Sequence, residues 1–206
     1  MFVKVCGITR LTDALHAVEQ GATAIGFVLW PRSPRGVSIE RAAEISAELP
    51  SHVMRVGVFV NDSVDRIRTM AEQARLTAVQ LHGDEPPAYA DALDWPVFRA
   101  VSLGDLEYAS EVWAPETALL VDNIDPVRRG GTGAVIDWSQ AAAMASKRRI
   151  VLAGGLTPDN VASAIRAVRP FGVDVSSGVE ASPGVKDFGK VTEFIANARL
   201  AFEETK

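Results

Sequence analysis

Long apolar stretches are missing from these 206 residues. The longest runs, such as Val56–Val60, fall far below the roughly 18 residues needed to cross a bilayer. Cysteine is nearly absent too. The single Cys6 excludes an intrachain disulfide and argues against a cysteine-based zinc site. Nor is there an excess of basic charge: 21 Lys and Arg stand against 26 Asp and Glu, a net −5. That balance argues against a general nucleic-acid or anionic-membrane surface. No basic-then-apolar signal segment opens the chain, because Lys4 and Arg10 interrupt it early, so a cytoplasmic location is expected. Linkers, low-complexity stretches and long charge runs are lacking as well. What is present is ordinary for a globular protein, with 48% apolar and 23% charged residues. At roughly 150 residues per domain the chain makes one domain, or two at most.

Short Val, Ile and Leu runs alternate with helical patterns. The expected strands are Phe2–Cys6, Ala24–Leu29, Met54–Val60, Ala78–His82, Val97–Val101, Ala118–Asp122, Ile150–Ala153 and Val173–Ser176. The expected helices are Leu11–Gln20, Ile39–Leu49, Val64–Ala74, Ala88–Leu93, Leu106–Val112, Trp138–Ala145, Pro158–Val168 and Lys190–Phe202. Ser38, Ser63 and Thr157 read as N-caps, with Pro158 at the first helical position. Gly21 reads as a left-handed C-terminal cap. Eight units in 206 residues leave about 26 residues each, enough for a strand, a helix and two short loops and no more. Strict alternation implies a parallel sheet. Eight units favour an α/β fold of the closed (β/α)8 type, a single domain over 1–206 near the lower size limit of that barrel. An open doubly wound sheet is weakened by Cys6-Gly7-Ile8-Thr9, which stands where a G-x-G-x-x-G would follow the first strand.

Side chains alternate faces along a strand. With Val3 and Val5 against the helices, Lys4 and Cys6 point into the barrel. The same parity turns Gln80, His82, Leu120, Asp122, Asp174 and Ser176 inward. Cys6, His82, Asp122 and Ser176 then fall at the C-terminal strand ends, where active sites of this fold sit. Each also has a plain structural reading. Cys6 could be a small buried hydrophobe. Asp122 could cap the turn Asp-Asn-Ile-Asp-Pro. His82 could be a turn residue before Gly83. Lys4 could pair with Asp174, joined by an inward Arg55.

Two glycine-rich loops are the strongest local signal. Ala153-Gly154-Gly155-Leu156-Thr157 follows the seventh strand, and Ser176-Ser177-Gly178-Val179-Glu180 the eighth. Glycines let backbone N–H groups approach an anion, and small hydroxyls add donors. In a (β/α)8 barrel these two loops form the recurring phosphate site. A third segment, Gly130-Gly131-Thr132-Gly133, follows strand six beside Arg128 and Arg129. It reads either as a flap over a ligand or as an exposed loop. Arg32 and Arg35 lie on a Pro-stiffened loop after strand two, and either guanidinium could hold a carboxylate.

Taken together these segments resemble one family, the phosphoribosylanthranilate isomerases of tryptophan biosynthesis. The resemblance covers almost the whole chain. It runs through 4–9, 26–28 with 33–35, 56–61, 79–83, 120–122, 130–133 with 137–138, 153–156 and 174–180, in matching order and spacing. It implies a (β/α)8 fold and an Amadori rearrangement of N-(5′-phosphoribosyl)anthranilate to 1-(o-carboxyphenylamino)-1-deoxyribulose 5-phosphate. It implies Cys6 as general base, Asp122 as general acid and Arg35 as a contact for the anthranilate. The substrate-binding residues expected beside Arg35 are His82, Gly131, Gly154, Gly155, Asp174, Ser176 and Ser177. The expected partner is a small phosphoribosyl substrate, with no nucleic acid and no membrane, for a monomer or homodimer.

The chemistry agrees with these roles. An acid must protonate the ribose ring oxygen so that the ring opens to an imine. A base must then take the C2 proton to give an enolamine, which tautomerises to the ketone. Such a base is a thiolate, whose pKa of about 8.5 Lys4 or nearby backbone donors would lower. The acid must stay protonated near neutrality, so burial or the ligand phosphate should raise Asp122. No metal or redox cofactor is required. A different phosphoribosyl isomerase would pair two aspartates, and Cys6 argues against that. An indole-glycerol-phosphate synthase needs catalytic lysines, for which Lys4 alone is a candidate. A binding module would have no use for Cys6 and Asp122 on facing rims, and a redox thiol has no second cysteine to resolve it.

Overall fold

Eight parallel strands pair in chain order and close on themselves in the computed structural model, which describes residues 1–123 and 137–205. The strands are β1 (Phe2–Val5), β2 (Ala24–Val28), β3 (Met54–Phe59), β4 (Ala78–Leu81), β5 (Val97–Val101), β6 (Ala118–Val121), β7 (Ile150–Leu152) and β8 (Gly172–Val175). The helices between them are α1 (Leu11–Gln20), α2 (Ile39–Glu48), α3 (Val64–Gln73), α4 (Ala88–Ala92), α5 (Leu106–Val112), α6 (Trp138–Ala145) and α7 (Pro158–Val168). An antiparallel hairpin, β9 (Glu180–Ser182) and β10 (Val185–Lys186), precedes α8 (Phe188–Glu204).

Two apolar layers follow from the period of two. Val3, Val5, Ile25, Phe27, Val79, Leu81, Leu119 and Val121 face outward into the core shared with the helices. Phe2, Ala24, Val56, Ala78, Phe98, Ala118, Leu120 and Val151 fill the inside. The lower interior is closed by Phe2, whose ring stacks on Phe98 at 5.5 Å and on Phe171 at 5.7 Å. Nearer the C-terminal rim the inward positions turn polar, with Lys4, Gln80 and Asp174 all buried. The barrel is thus packed below and charged above, which fixes the end where chemistry can occur.

The expected helix signals hold. Ser38 Oγ accepts from Arg41 N at 3.2 Å, and Ser63 Oγ from Arg66 N at 3.4 Å. Gly21 closes α1 in the left-handed region. Thr157 is the N-cap of α7, and its own N–H donates to Asn160 Oδ1 at 2.8 Å.

Three expectations need correction. Most strands end one residue earlier than the sequence suggested. The reason is that Cys6, His82 and Asp122 still donate backwards to Val175, Phe59 and Val101 carbonyls (2.8, 2.9 and 3.0 Å) while the chain beyond them leaves the sheet. The last helix starts at Phe188 rather than Lys190, because Asp187 caps it by accepting from Lys190 N. Arg55 does not point inward. It pairs in register with outward-facing Ile25, and its Nε donates to the Arg75 carbonyl at 3.0 Å.

Candidate active site

Lys4 and Asp174 lie directly opposite each other in the register of β1 and β8, and both face inward. Their side chains therefore meet, with Lys4 Nζ 3.0 Å from Asp174 Oδ1. Lys4 is fully buried, and nothing but charge compensation makes that tolerable. Burial works against its ammonium, but Asp174 and Cys6 more than offset this and hold its pKa above the ordinary value.

Cys6 sits one step beyond β1, buried. Burial is the main influence on its thiol and pushes its pKa up; the Lys4 charge pulls the other way without prevailing. The expected net lowering by Lys4 is therefore not found, since desolvation of a thiolate outweighs one paired ammonium.

Asp122 follows β6 on the same rim. Its pKa rises to about 6, first through burial and then through repulsion from Asp174. One backbone donor, Asn123 N at 2.7 Å, acts against the rise. Cys6 and Asp122 thus both feel the Lys4–Asp174 pair, which lies within reach of each. His82 closes this side. Gln80 Nε2 and His82 Nδ1 lie 2.9 Å apart, and the other ring nitrogen, Nε2, is 3.9 Å from Asp122 Oδ2.

The two glycine-rich loops converge as expected. One cleft is lined by Asp122, Gly154, Gly155, Asp174, Ser176, Ser177 and Gly178. Gly154 and Gly155 both adopt left-handed conformations (φ 73° and 68°), which β-carbon-bearing residues rarely sustain in succession. A turn so tight lets the chain expose successive N–H groups to an anion. Arg35 lies on the other side of the Cys6 turn, where its Nε and Nη2 donate to Glu180 Oε1 and Oε2 at 2.8 and 2.7 Å. Gly131 lies outside the described residues.

Sequence reasoning passed over several residues that shape this rim. Lys186 is buried, and its Nζ reaches Glu180 Oε1 at 3.0 Å. Glu85 is buried beneath the loops after β3 and β4. There it accepts from Asn61 N, Gly83 N and Arg99 Nη1 at 2.6, 2.8 and 2.9 Å. Their charged type, which usually marks solvent, concealed them. The one available signal was spacing to a glycine: Glu85 stands two residues after Gly83, and Lys186 two after Gly184.

Known proteins fall into place beside this geometry. The family model for N-(5′-phosphoribosyl)anthranilate (PRA) isomerase matches residues 3–197. The N-(5′-phosphoribosyl)anthranilate isomerase of Pelobacter propionicus is 48% identical over 204 residues, covering 98% of each chain. A solved phosphoribosyl anthranilate isomerase in complex with reduced 1-(o-carboxyphenylamino)-1-deoxyribulose 5-phosphate is similar, with a TM-score of 0.86 and 46% identity over 97% of this chain and 98% of that one. So are monomers generated from the dimeric enzyme of Thermotoga maritima, with a TM-score of 0.85 and 46% identity over the same shares.

Proposed function

The chain belongs to the phosphoribosylanthranilate isomerase family, and on that premise we propose that Cys6 is the base and Asp122 the acid of its reaction. The protein is an isomerase of tryptophan biosynthesis. It converts the aminoaldose N-(5′-phosphoribosyl)anthranilate to the aminoketose 1-(o-carboxyphenylamino)-1-deoxyribulose 5-phosphate. The observation that carries the assignment is the common rim: a thiol and a carboxyl at strand ends, both coupled to one buried ion pair, with the carboxyl in the cleft of the two glycine-rich loops.

The proton account runs through named atoms. With a pKa of about 6, Asp122 is about one-tenth protonated at pH 7, against well under one-hundredth for an ordinary aspartate. A phosphate held by Gly154, Gly155, Ser176 and Ser177 brings negative charge into the same cleft and raises the carboxyl further. Asp122 then gives its proton to the ribose ring oxygen while the anthranilate nitrogen lone pair forms the imine. Cys6 acts in its thiolate form, which burial opposes and the Lys4 ammonium partly supports; it removes the C2 proton, and the electron pair moves into the C1–C2 bond to give the enolamine. Tautomerisation to the ketone returns the protons without net change. Arg35 binds the anthranilate carboxylate, and His82 Nε2 faces the Asp122 carboxyl at the reacting end. Asp174 acts by holding Lys4 and repelling charge on Asp122.

The proposed setting is the cytoplasm, as a monomer or homodimer acting on a small phosphoribosyl substrate. Among the described residues no helix is long and apolar enough to cross a membrane. The test is turnover of phosphoribosylanthranilate by the purified protein beside Cys6→Ala and Asp122→Asn. Each variant should lose about 10²–10⁴ in kcat, the usual worth of one positioned proton transfer, with its circular dichroism unchanged. Near-native turnover in either would remove that residue from its role.

A further inference from the structure

The loop after β8 does more than reach the phosphate end. Resting on the reading of Arg35 as the carboxylate contact, we propose that Glu180 is a positioning residue. It grips one edge of the Arg35 guanidinium and leaves the other edge free for the substrate carboxylate, with Lys186 as its buried counter-charge.

A guanidinium offers two parallel-donor edges, Nε with Nη2 and Nη1 with Nη2. Glu180 takes the first in a bidentate pair at 2.8 and 2.7 Å. Among the described residues the Nη1–Nη2 edge has no further partner and still has its donors to give. The arginine stem runs close over the Cys6-Gly7 turn. A β-carbon built on Gly7 would come 2.8 Å from Arg35 Cδ and 2.9 Å from Ser176 Oγ. The guanidinium is therefore held beside the base, between the first and eighth strands.

Glu180 is itself fixed. Lys186 Nζ donates to its Oε1 at 3.0 Å and to the Ser176 carbonyl at 3.1 Å, and Gly184 N donates to the same Oε1 at 3.2 Å. The hairpin is tied to the loop after β1 by Thr9 Oγ1, which donates to the Gly184 carbonyl at 2.6 Å, and to α1 by Lys186 N, which donates to Asp13 Oδ2 at 3.0 Å. Arg35 and Lys186 share one carboxylate; burial lowers the Lys186 pKa, whereas the Glu180 pair holds the Arg35 charge in place for an incoming anion. Burial opposes the Glu180 charge, but Arg35 and Lys186 outweigh it and keep its pKa below the ordinary value. Only the short turn Ser177–Val179 separates this grip from Ser176. The hairpin thereby joins the Arg35 grip to the cleft of the glycine-rich loops. Holding the arginine in advance spares the substrate the cost of ordering it.

The experiment measures Kd for two reduced product analogues, one with the o-carboxylate on the phenyl ring and one without. The proteins are the wild type, Arg35→Ala, Glu180→Gln and the double variant. Glu180→Gln should weaken the carboxylated ligand about tenfold, the scale of one charge-assisted hydrogen bond. It should leave the other ligand within about twofold, and it should add nothing in the Arg35→Ala background. KM should rise more than kcat falls. Equal losses for both ligands, or effects that multiply in the double variant, would overturn the role of Glu180. If Arg35→Ala itself fails to discriminate the two ligands, the reading of Arg35 falls instead. Should Glu180→Gln not fold, Glu180→Asp keeps the charge opposite Lys186 but withdraws the fork, and the same discrimination is expected of it.

Discussion

Asp122→Asn should make the protein more stable, and the gain should depend on pH in a defined way. Asn keeps the acceptor for Asn123 N and removes the titration. In the folded protein Asp122 titrates at about 6 rather than 3.8, so the folded state binds the proton more tightly than the unfolded chain. Its contribution is fully present below about pH 4 and is lost as pH rises through about 6. At about 1.4 kcal/mol per pH unit, the wild type forfeits up to about 3 kcal/mol at pH 8. It forfeits roughly half of that at pH 5 and almost nothing at pH 3. The side chain is only 16% exposed, so solvent screening takes little from this figure. The assay is urea unfolding of both proteins at each pH, with the difference in free energy as the readout. Groups remote from Asp122 titrate alike in the two proteins and cancel, which leaves its own titration and its coupling to Asp174 and Lys4. A difference that stays flat across pH 4–7, or that favours the wild type at pH 8, would refute the argument. It would also remove the reason for Asp122 to hold a proton near neutrality.

Lys4→Met leaves Asp174 buried without its partner. It should cost about 3–5 kcal/mol in urea unfolding at pH 7, and it should lower kcat because the thiolate loses its ammonium; unchanged stability would mean that the pair is not the support described. Gly178→Ala would drive a β-carbon into the Leu156 carbonyl and push the two glycine-rich loops apart. Competitive inhibition by inorganic phosphate should weaken about 10–100-fold, the worth of one or two charge-assisted hydrogen bonds. A Gly178→Ala protein that still binds phosphate normally would place the anion elsewhere.

The barrel and its polar rim were legible because they rest on period and position. Alternation of Val3, Lys4, Val5 and Cys6 fixes which side chains face inward, and the register of β1 on β8 then brings Lys4 to Asp174. What was not legible depends on three dimensions. Arg55 looked inward by analogy with Lys4, yet register with Ile25 settles its face. The β9–β10 hairpin is too short to show a pattern, and Ser-Pro-Gly within it reads as loop. The direction of the Cys6 pKa turned on how deeply the sulfur is buried, which a neighbouring lysine in the sequence does not reveal. Arg35 was visible as a guanidinium on a stiff loop, but its partner Glu180 lies 145 positions away.

The Lys4–Asp174 contact spans 170 positions and joins the first barrel strand to the eighth. A chain still lacking its eighth strand has an open seam there, with an unpaired lysine and an untuned sulfur. Ring closure carries a large loop entropy, and the same pair of charges both seals that seam and sets the field around the thiol and the Asp122 carboxyl. The polar floor of the rim is therefore complete only when β1 and β8 have met.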